Sequence, residues 1–299
     1  AECGFRASGQ IRVALDAQGL AALEARAART RALGYAHERM IGPDALAEIE
    51  PGLAGRALGA LMVEDDGFAD PLATLRAYRA AARRAGVALR EGARVAALSA
   101  RGSGVALVTA AGPVAARRVV NAAGAWGARI AAMAGEDLPV APRGLQMSVT
   151  ERLAPLARAT IGIEGRRLSL KQGGEGTVVI GGAYEAPIGA DGIARPRAAA
   201  LSENLAGAAR LFPALRSARI VRSWGGVEGI SADGLPVIGP SASMPGLWHA
   251  FGFSAHGFAL APLIGVLLRD LMAGRDANLP LAPFAPDRFG TETARAAHG

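Results

Sequence analysis

Val119-Val120-Asn121-Ala122-Ala123-Gly124-Ala125-Trp126 decides the fold. An apolar strand runs into a turn built from the smallest side chains. A helix follows at once over residues 125–134, until Gly135 stops it. Such a turn lets the backbone approach a second backbone or a ligand closely, and the helix N-terminus behind it offers N–H groups to a phosphate. Tight strand–helix packing alone uses the same residues, so both readings stay open at this point.

The same kind of junction recurs downstream. A strand over 247–251 leads through Gly252-Phe253-Ser254-Ala255-His256-Gly257-Phe258 into a helix over 259–273. Leu260, Leu263, Ile264, Leu267, Leu268 and Leu271 make that helix apolar on most of its surface, as expected of a core helix. Its glycine-flanked entry loop is a second candidate anion cradle. The lone His256 in that loop reads equally as a packing or capping residue. Two such junctions in one chain point to a nucleotide cofactor. Between them, Ser223 to Pro240 is dense in glycine, which marks a backbone passing close to something that spacing alone does not identify.

Outward from these segments, Asp16 caps a helix to about Leu33, ahead of Gly34. Pro43-Asp44 opens a short helix, and Asp70-Pro71 opens a third one to Arg84. Residues 87–89, 94–98, 105–108 and 118–120 read as strands, with turns at 102–104 and 111–113. Further strands fall between 140 and 180, with a hairpin loop at Gly173-Gly174-Glu175-Gly176. A helix over 198–211 and a strand over 219–226 follow, then a turn-rich stretch to Gly246, and Pro-rich chain after Pro280. The order predicts α/β plus α+β: pieces of a mononucleotide-binding layer interleaved with an α+β part, two domains with the chain crossing between them more than once. Expected boundaries are 1–64 and 137–230 for the α+β part, and 65–136 and 231–299 for the mononucleotide-binding layer.

Composition narrows the function classes. Half the 299 residues are hydrophobic and a fifth charged, enough to bury a sizeable core. Cys3 is the single cysteine, so no disulfide framework forms within the chain. Four histidines and one cysteine, widely spaced, give no metal-ligand pattern. The net charge of +7 rests almost wholly on arginine, Lys171 being the one lysine. The arginines are scattered, which speaks against a nucleic-acid face. The apolar stretch 251–272 is interrupted by His256, Arg269 and Asp270 and fits a buried helix better than a span. No secretory signal is present in the sequence, and the expected location is cytoplasmic.

Together the segments resemble the FAD-dependent amino-acid and amine oxidoreductases of the D-amino-acid oxidase, glycine oxidase and sarcosine oxidase group. Asn121-Ala-Ala-Gly-Ala-Trp126, Trp224-Gly-Gly with Asp233-Gly-Leu-Pro-Val-Ile-Gly239, and His256-Gly-Phe258 are similar to that group's pattern. Asp66-Gly-Phe-Ala-Asp-Pro71 and Gly4-Phe5-Arg6 with Ser8-Gly9 also fit. Gly226-Val-Glu-Gly229, His249-Ala-Phe-Gly-Phe253 and Lys171-Gln172 look most like β subunits of hydroxyproline dehydrogenase and of opine- or cyanide-forming dehydrogenases.

The resemblance implies noncovalent FAD, and an incomplete FAD-binding Rossmann-like domain (65–136 and 231–299) interleaved with an antiparallel-sheet substrate domain (1–64 and 137–230). It implies contacts from Val95, Asn121, Ala122, Ala123, Gly124, Trp126 and Gly226, and from Gly252, Phe253, Ser254, Ala255, His256, Gly257 and Phe258. Lys171, Trp224 and His256 are the implied catalytic residues. Core anchoring for Trp224, turn capping for Asp233 and a solvated hairpin charge for Lys171 are the plain alternatives. The implied reaction passes a hydride from the carbon next to an amine nitrogen to the flavin, with hydrolysis of the imine. The implied partners are a small amine or amino-acid substrate and electron-transfer subunits of a hetero-oligomer.

Two departures from the group's pattern stand out. The opening Gly-x-Gly-x-x-Gly turn and its acidic ribose ligand are not in this sequence, so the chain is expected to be an N-terminally truncated member. Where glycine oxidase-like members carry an arginine for the substrate carboxylate, Glu228 stands here, leaving Arg143 or Lys171 for that task. No lysine falls on 178–180, which favours a dehydrogenase over an oxidase. A non-catalytic interaction subunit and a flavin enzyme for another substrate class, such as a glycerol phosphate, are the competing expectations.

Overall fold

The computed structural model describes residues 3–53, 55, 57–277 and 279–290. The chain alternates sheet and helix in the order β1 (Gln10–Ala14), α1 (Ala17–Ala32), β2 (Arg39–Ile41), α2 (Pro43–Ile49), β3 (Gly59–Val63) and α3 (Pro71–Arg84). Then come β4 (Val95–Arg101), β5 (Gly104–Thr109), β6 (Gly112–Ala116), β7 (Val119–Asn121), a 3-10 turn (Gly124–Trp126) and α4 (Gly127–Met133). Strands β8 (Val140–Arg152), β9 (Thr160–Ile163), β10 (Ser169–Gln172) and β11 (Thr177–Gly181) precede α5 (Ala198–Leu211) and a 3-10 turn (Pro213–Ser217). The last elements are β12 (Ile220–Ser231), β13 (Val237–Pro240), β14 (Leu247–Phe251) and α6 (Gly257–Met272).

Contacts divide the described chain into two units, Ala1–Gly86 with Gly144–Gly226, and Val87–Arg143 with Val227–Gly299. The last two crossings lie within β8 and β12. Residues 65–86, expected with the cofactor parts, belong to the first unit. The reason is local: Arg6 and Phe68 form a two-way antiparallel bridge, and Asp70 N–H donates to the Cys3 carbonyl at 3.2 Å.

The first unit is built on an eight-stranded, largely antiparallel sheet, in the order β12-β8-β11-β10-β9-β1-β3-β2. β1 sits between parallel β9 and antiparallel β3. Ile11, Val13, Ile161, Leu170, Val178, Ile180 and Phe212 are essentially inaccessible and form its core. Ala14 lies on the other face with Leu23 and Ala27 of α1. The Asp16 carboxylate accepts the Gly19 N–H at 2.8 Å and fixes where α1 begins. Asp70 does the same for α3, accepting from Leu72 and Ala73 N–H.

The second unit holds two three-stranded sheets, β4-β5-β6 and β13-β14-β7. β7 and β14 run parallel with Asn121 opposite His249, and β13 lies antiparallel to β14. Strand–helix connections follow both parallel strands, so both junctions open at neighbouring strand C-termini. Ligands bind at that end of open α/β sheets. Three sequence expectations change. Residues 87–89 form no strand and are exposed, β6 replaces plain turn chain, and β13 emerges from the stretch read as turns. No helix among the described residues is long and apolar enough to cross a membrane.

Candidate functional site

The β7–α4 junction is closed by its own side chains. Asn121 is buried; its Nδ2 donates to the Gly127 carbonyl at 2.8 Å and lies 3.2 Å from His249 Nδ1. Its Oδ1 accepts the Ala123 N–H at 3.3 Å. Those two backbone partners fix the amide's orientation, so Nδ1 of His249 accepts and Nε2–H donates to Glu136 Oε2 at 2.7 Å. Glu136 also accepts from Ser241 Oγ and Ala242 N–H. Burial pushes the Glu136 carboxyl up, but these hydrogen bonds outweigh it and hold the group below its ordinary value. Gly127 is required: a Cβ there would fall inside the Phe251 ring.

The turn above this network is open. Gly124 has φ +55°, with no atom in the way of a side chain, and Trp126 is exposed. The Asn121 side chain is thus occupied in fixing the turn, while Ala122, Gly124 and Trp126 are exposed and Ala123 is half-buried.

The β14–α6 junction is the opposite case. Gly252, Ser254 and Ala255 all have positive φ (+70°, +48° and +75°), a conformation that costs non-glycine residues energy. The loop is held by Ser254 N–H donating to the Gly229 carbonyl at 3.1 Å and by Ser254 Oγ accepting the Ser231 N–H at 3.1 Å. His256 is the N-cap residue of α6, with no side chain capping the helix. Ala255, His256, Phe258 and Ala259 are exposed. The first-turn N–H groups of α6 therefore face outward with no side-chain acceptor.

β12 ties the junctions together. A Cβ on Gly229 would lie 2.9 Å from the Gly124 carbonyl and 3.2 Å from Ala125 N. Gly225 makes a similarly close approach to Ala194, whereas Gly226 faces open space. The glycine-dense stretch thus approaches its own chain at Gly225 and Gly229, and at Gly239, which lies against Pro286. Glu228, next to Gly229, is half-buried, and its Oε2 is buried with no hydrogen-bond partner. Of the orphaned buried side-chain atoms among the described residues, it is the one in the second unit. Burial pushes its carboxyl up, opposed by the nearby His256. Sequence reading singled out Glu228 only as a departure; its orphaned oxygen has no sequence signal.

The remaining expected residues are dispersed. Val95 sits on edge strand β4, at a register shift against β5, and packs with the Leu98, Val105 and Leu247 cluster. Lys171 lies on β10, in the first unit, its Nζ 4.8 Å from the Phe68 ring centre. Burial draws the Lys171 ammonium below the usual lysine range, with Asp70 opposing. Trp224 is partly buried, 6.0 Å from the Arg222 guanidinium. Asp233 caps its turn, accepting from Ser231 Oγ and Leu235 N–H and pairing with Arg288. Burial pushes Asp233 up, yet those partners bring its pKa down to about 2. Among the described residues no cluster of His, Cys, Asp and Glu is placed to hold a metal ion.

The comparisons agree with this architecture. The family model described as FAD dependent oxidoreductase matches residues 1–271. The chain is 35% identical to glycine oxidase of Geobacillus kaustophilus over 244 residues, 81% of this chain and 63% of the relative. It is 32% identical to the hydrogen cyanide synthase subunit HcnC of Pseudomonas aeruginosa over 262 residues, 87% of this chain and 62% of that one. The structure of L-proline dehydrogenase from P. horikoshii superimposes with TM-score 0.88 at 26% identity, covering 95% of this chain and 77% of that one. The chain spans a little over three fifths of the length of those two curated relatives. With the family pattern running through nearly the whole sequence and both junctions in place, the chain belongs to the FAD-dependent oxidoreductases of the D-amino-acid oxidase family.

Proposed function

We propose that the chain takes part in FAD-dependent oxidation of a secondary amine or D-amino acid, as the β-type subunit of a multi-subunit dehydrogenase. The observation that carries this reading is the open head of α6 with Glu228 beside it. The residues fit the cofactor: uncapped N–H groups suit its phosphates and ribityl hydroxyls, and the positive-φ turn at Gly124 leaves room for a close ligand. Ala122 to Trp126 and Gly252 to Phe258 would hold it, with Asn121 setting the first turn and Val95 offering backbone. Bound FAD would supply the acceptor for a hydride leaving the carbon next to the substrate nitrogen.

The protein's own part is positional. Glu228, whose buried Oε2 is an acceptor without a donor, suits the N–H of a cationic amine. Burial dominates the raised pKa of Glu228, and the nearby His256 opposes it. Within the first unit, Lys171, half-buried over Phe68, is the cation suited to a carboxylate, and Trp224 belongs to the same unit. In this reading the first unit carries the substrate-binding sheet and the second the cofactor. HcnC bears a subunit's name, which supports the subunit reading.

The test is anaerobic bleaching of the flavin-loaded chain by proline, hydroxyproline and N-methylglycine, beside glycine and glycerol phosphate. Bleaching by the secondary amines, lost in Glu228→Gln with flavin retained, is the expected result. Bleaching by glycerol phosphate alone overturns the substrate class.

A further inference from the structure

The first unit contains a cavity of about 690 Å³ between the last turn of α5, the 3-10 turn after it, the β9–β10 turn and the end of β1. That volume lies within the range of small-molecule sites. Its floor is apolar, with Ile163, Leu168 and Leu211 each at most 6% exposed. Its walls carry Arg166, Arg167, Arg210 and Arg216 against one lining carboxylate, Glu203. Arg166 is paired with Asp16 at 3.2 Å. The other three arginines have no carboxylate at ion-pair distance among the described residues, whereas the carboxylate Glu203 already accepts from Tyr184 Oη at 3.4 Å.

Two of the unpaired arginines lie near Tyr184. Arg167 is 6.0 Å from its ring centre, and the charges of Arg167 and Arg210 oppose the burial and the Glu203 charge that push the Tyr184 hydroxyl up. Arg167, Arg210 and Arg216 are exposed around this one concave space, where a single anion would meet all three charges. Guanidinium groups match phosphate oxygens two at a time, and the buried leucines below suit a ring or chain attached to the phosphate. Arg210 also complements the C-terminal end of α5, a role that a single arginine fills without Arg167 or Arg216.

We propose that this cavity is a binding site for an organic phosphate, distinct in place and chemistry from the junctions of the second unit. Arg167 and Arg210 clamp the phosphate, Arg216 closes the rim, and Leu168 and Leu211 carry the organic part.

Calorimetric titration of the full chain at low salt tests it, with pyrophosphate, ATP and citrate as probes. The expected result is saturable one-site binding of ATP, weaker binding of pyrophosphate, and loss by roughly tenfold or more in Arg167→Gln/Arg210→Gln, whose melting temperature is checked first. Charge reversal at Arg83 and Arg84, exposed at the end of α3 and outside the cavity, leaves binding unchanged. Three results overturn the proposal: no saturable binding of ATP, ATP binding that survives Arg167→Gln/Arg210→Gln, or equal loss in the Arg83/Arg84 variant. Citrate binding as tightly as ATP overturns the phosphate assignment.

Discussion

The two strand–helix junctions of the second unit start from neighbouring parallel strands and end differently. After β7, every polar atom of the Asn121 side chain is bonded, and His249 and Glu136 back it from below. After β14, the backbone holds three positive-φ residues and a helix start without a cap. The first junction is a completed support; the second keeps strain and unmet donors where a ligand supplies acceptors. Polar satisfaction is thus spent on rigidity at one junction and withheld at the other, and the proposed cofactor contact is therefore placed mainly on the latter.

The largest expected effect breaks the closed junction. Gly127→Val drives a branched side chain into the Phe251 ring. Denaturant unfolding is expected to show a loss of about 3 kcal/mol. A loss below about 1 kcal/mol would mean that α4 shifts freely away from β14.

Glu136→Gln is next. The new amide can serve His249 or Ala242 N–H, not both together with Ser241, so one buried donor loses its acceptor. The expected cost at neutral pH is about 1–3 kcal/mol. The native Glu136 pKa lies below its ordinary 4.5, so its contribution is present above that value and is lost as pH falls through the depressed native one. The variant should therefore show a shallower loss of stability on acidification. Parallel acid-unfolding curves would remove Glu136 from the network.

At the open junction the sign reverses. Ala255→Gly relieves a φ of +75° and is expected to change stability by about +1 kcal/mol or less, because the glycine also loosens the unfolded chain. FAD affinity should fall as the loop loses its fixed shape. A stabilised variant with unchanged affinity would separate the strain from binding.

The smallest effect concerns Glu228. Its native pKa is raised, so the ionised form disfavours the fold, and stability contributed by the protonated form is lost as pH rises through the native pKa. Glu228→Gln should melt slightly higher than the parent at neutral pH and equal to it in acid. A lower melting temperature at neutral pH would show that the carboxylate has a partner in solution.

Much of the fold was legible because single residues determine local boundaries. Asp16 and Asp70-Pro71 announce α1 and α3, and each carboxylate is found on the expected N–H groups. Both junctions were legible from the size of their side chains. β6 was not, because Gly-Pro-Val-Ala-Ala has too little contrast for alternation to register. β13 hides among Pro236, Gly239 and Pro240, and it is a strand because β14 pairs with it. Residues 87–89 alternate like a strand but find no partner. The Asn121–His249–Glu136 chain joins positions more than 110 residues apart, and no local pattern carries such a link. The orphaned Glu228 oxygen is likewise a property of packing alone.

The central claim is that the head of α6 receives the cofactor. Amide hydrogen exchange of the full chain, with and without FAD, tests it most directly. The account predicts strong FAD-dependent protection across 253–259, weaker protection at 122–126, and none at Asn121, His249 or Glu136, whose surroundings are already closed. Protection absent from 253–259, or confined to the β7–α4 junction, would contradict it.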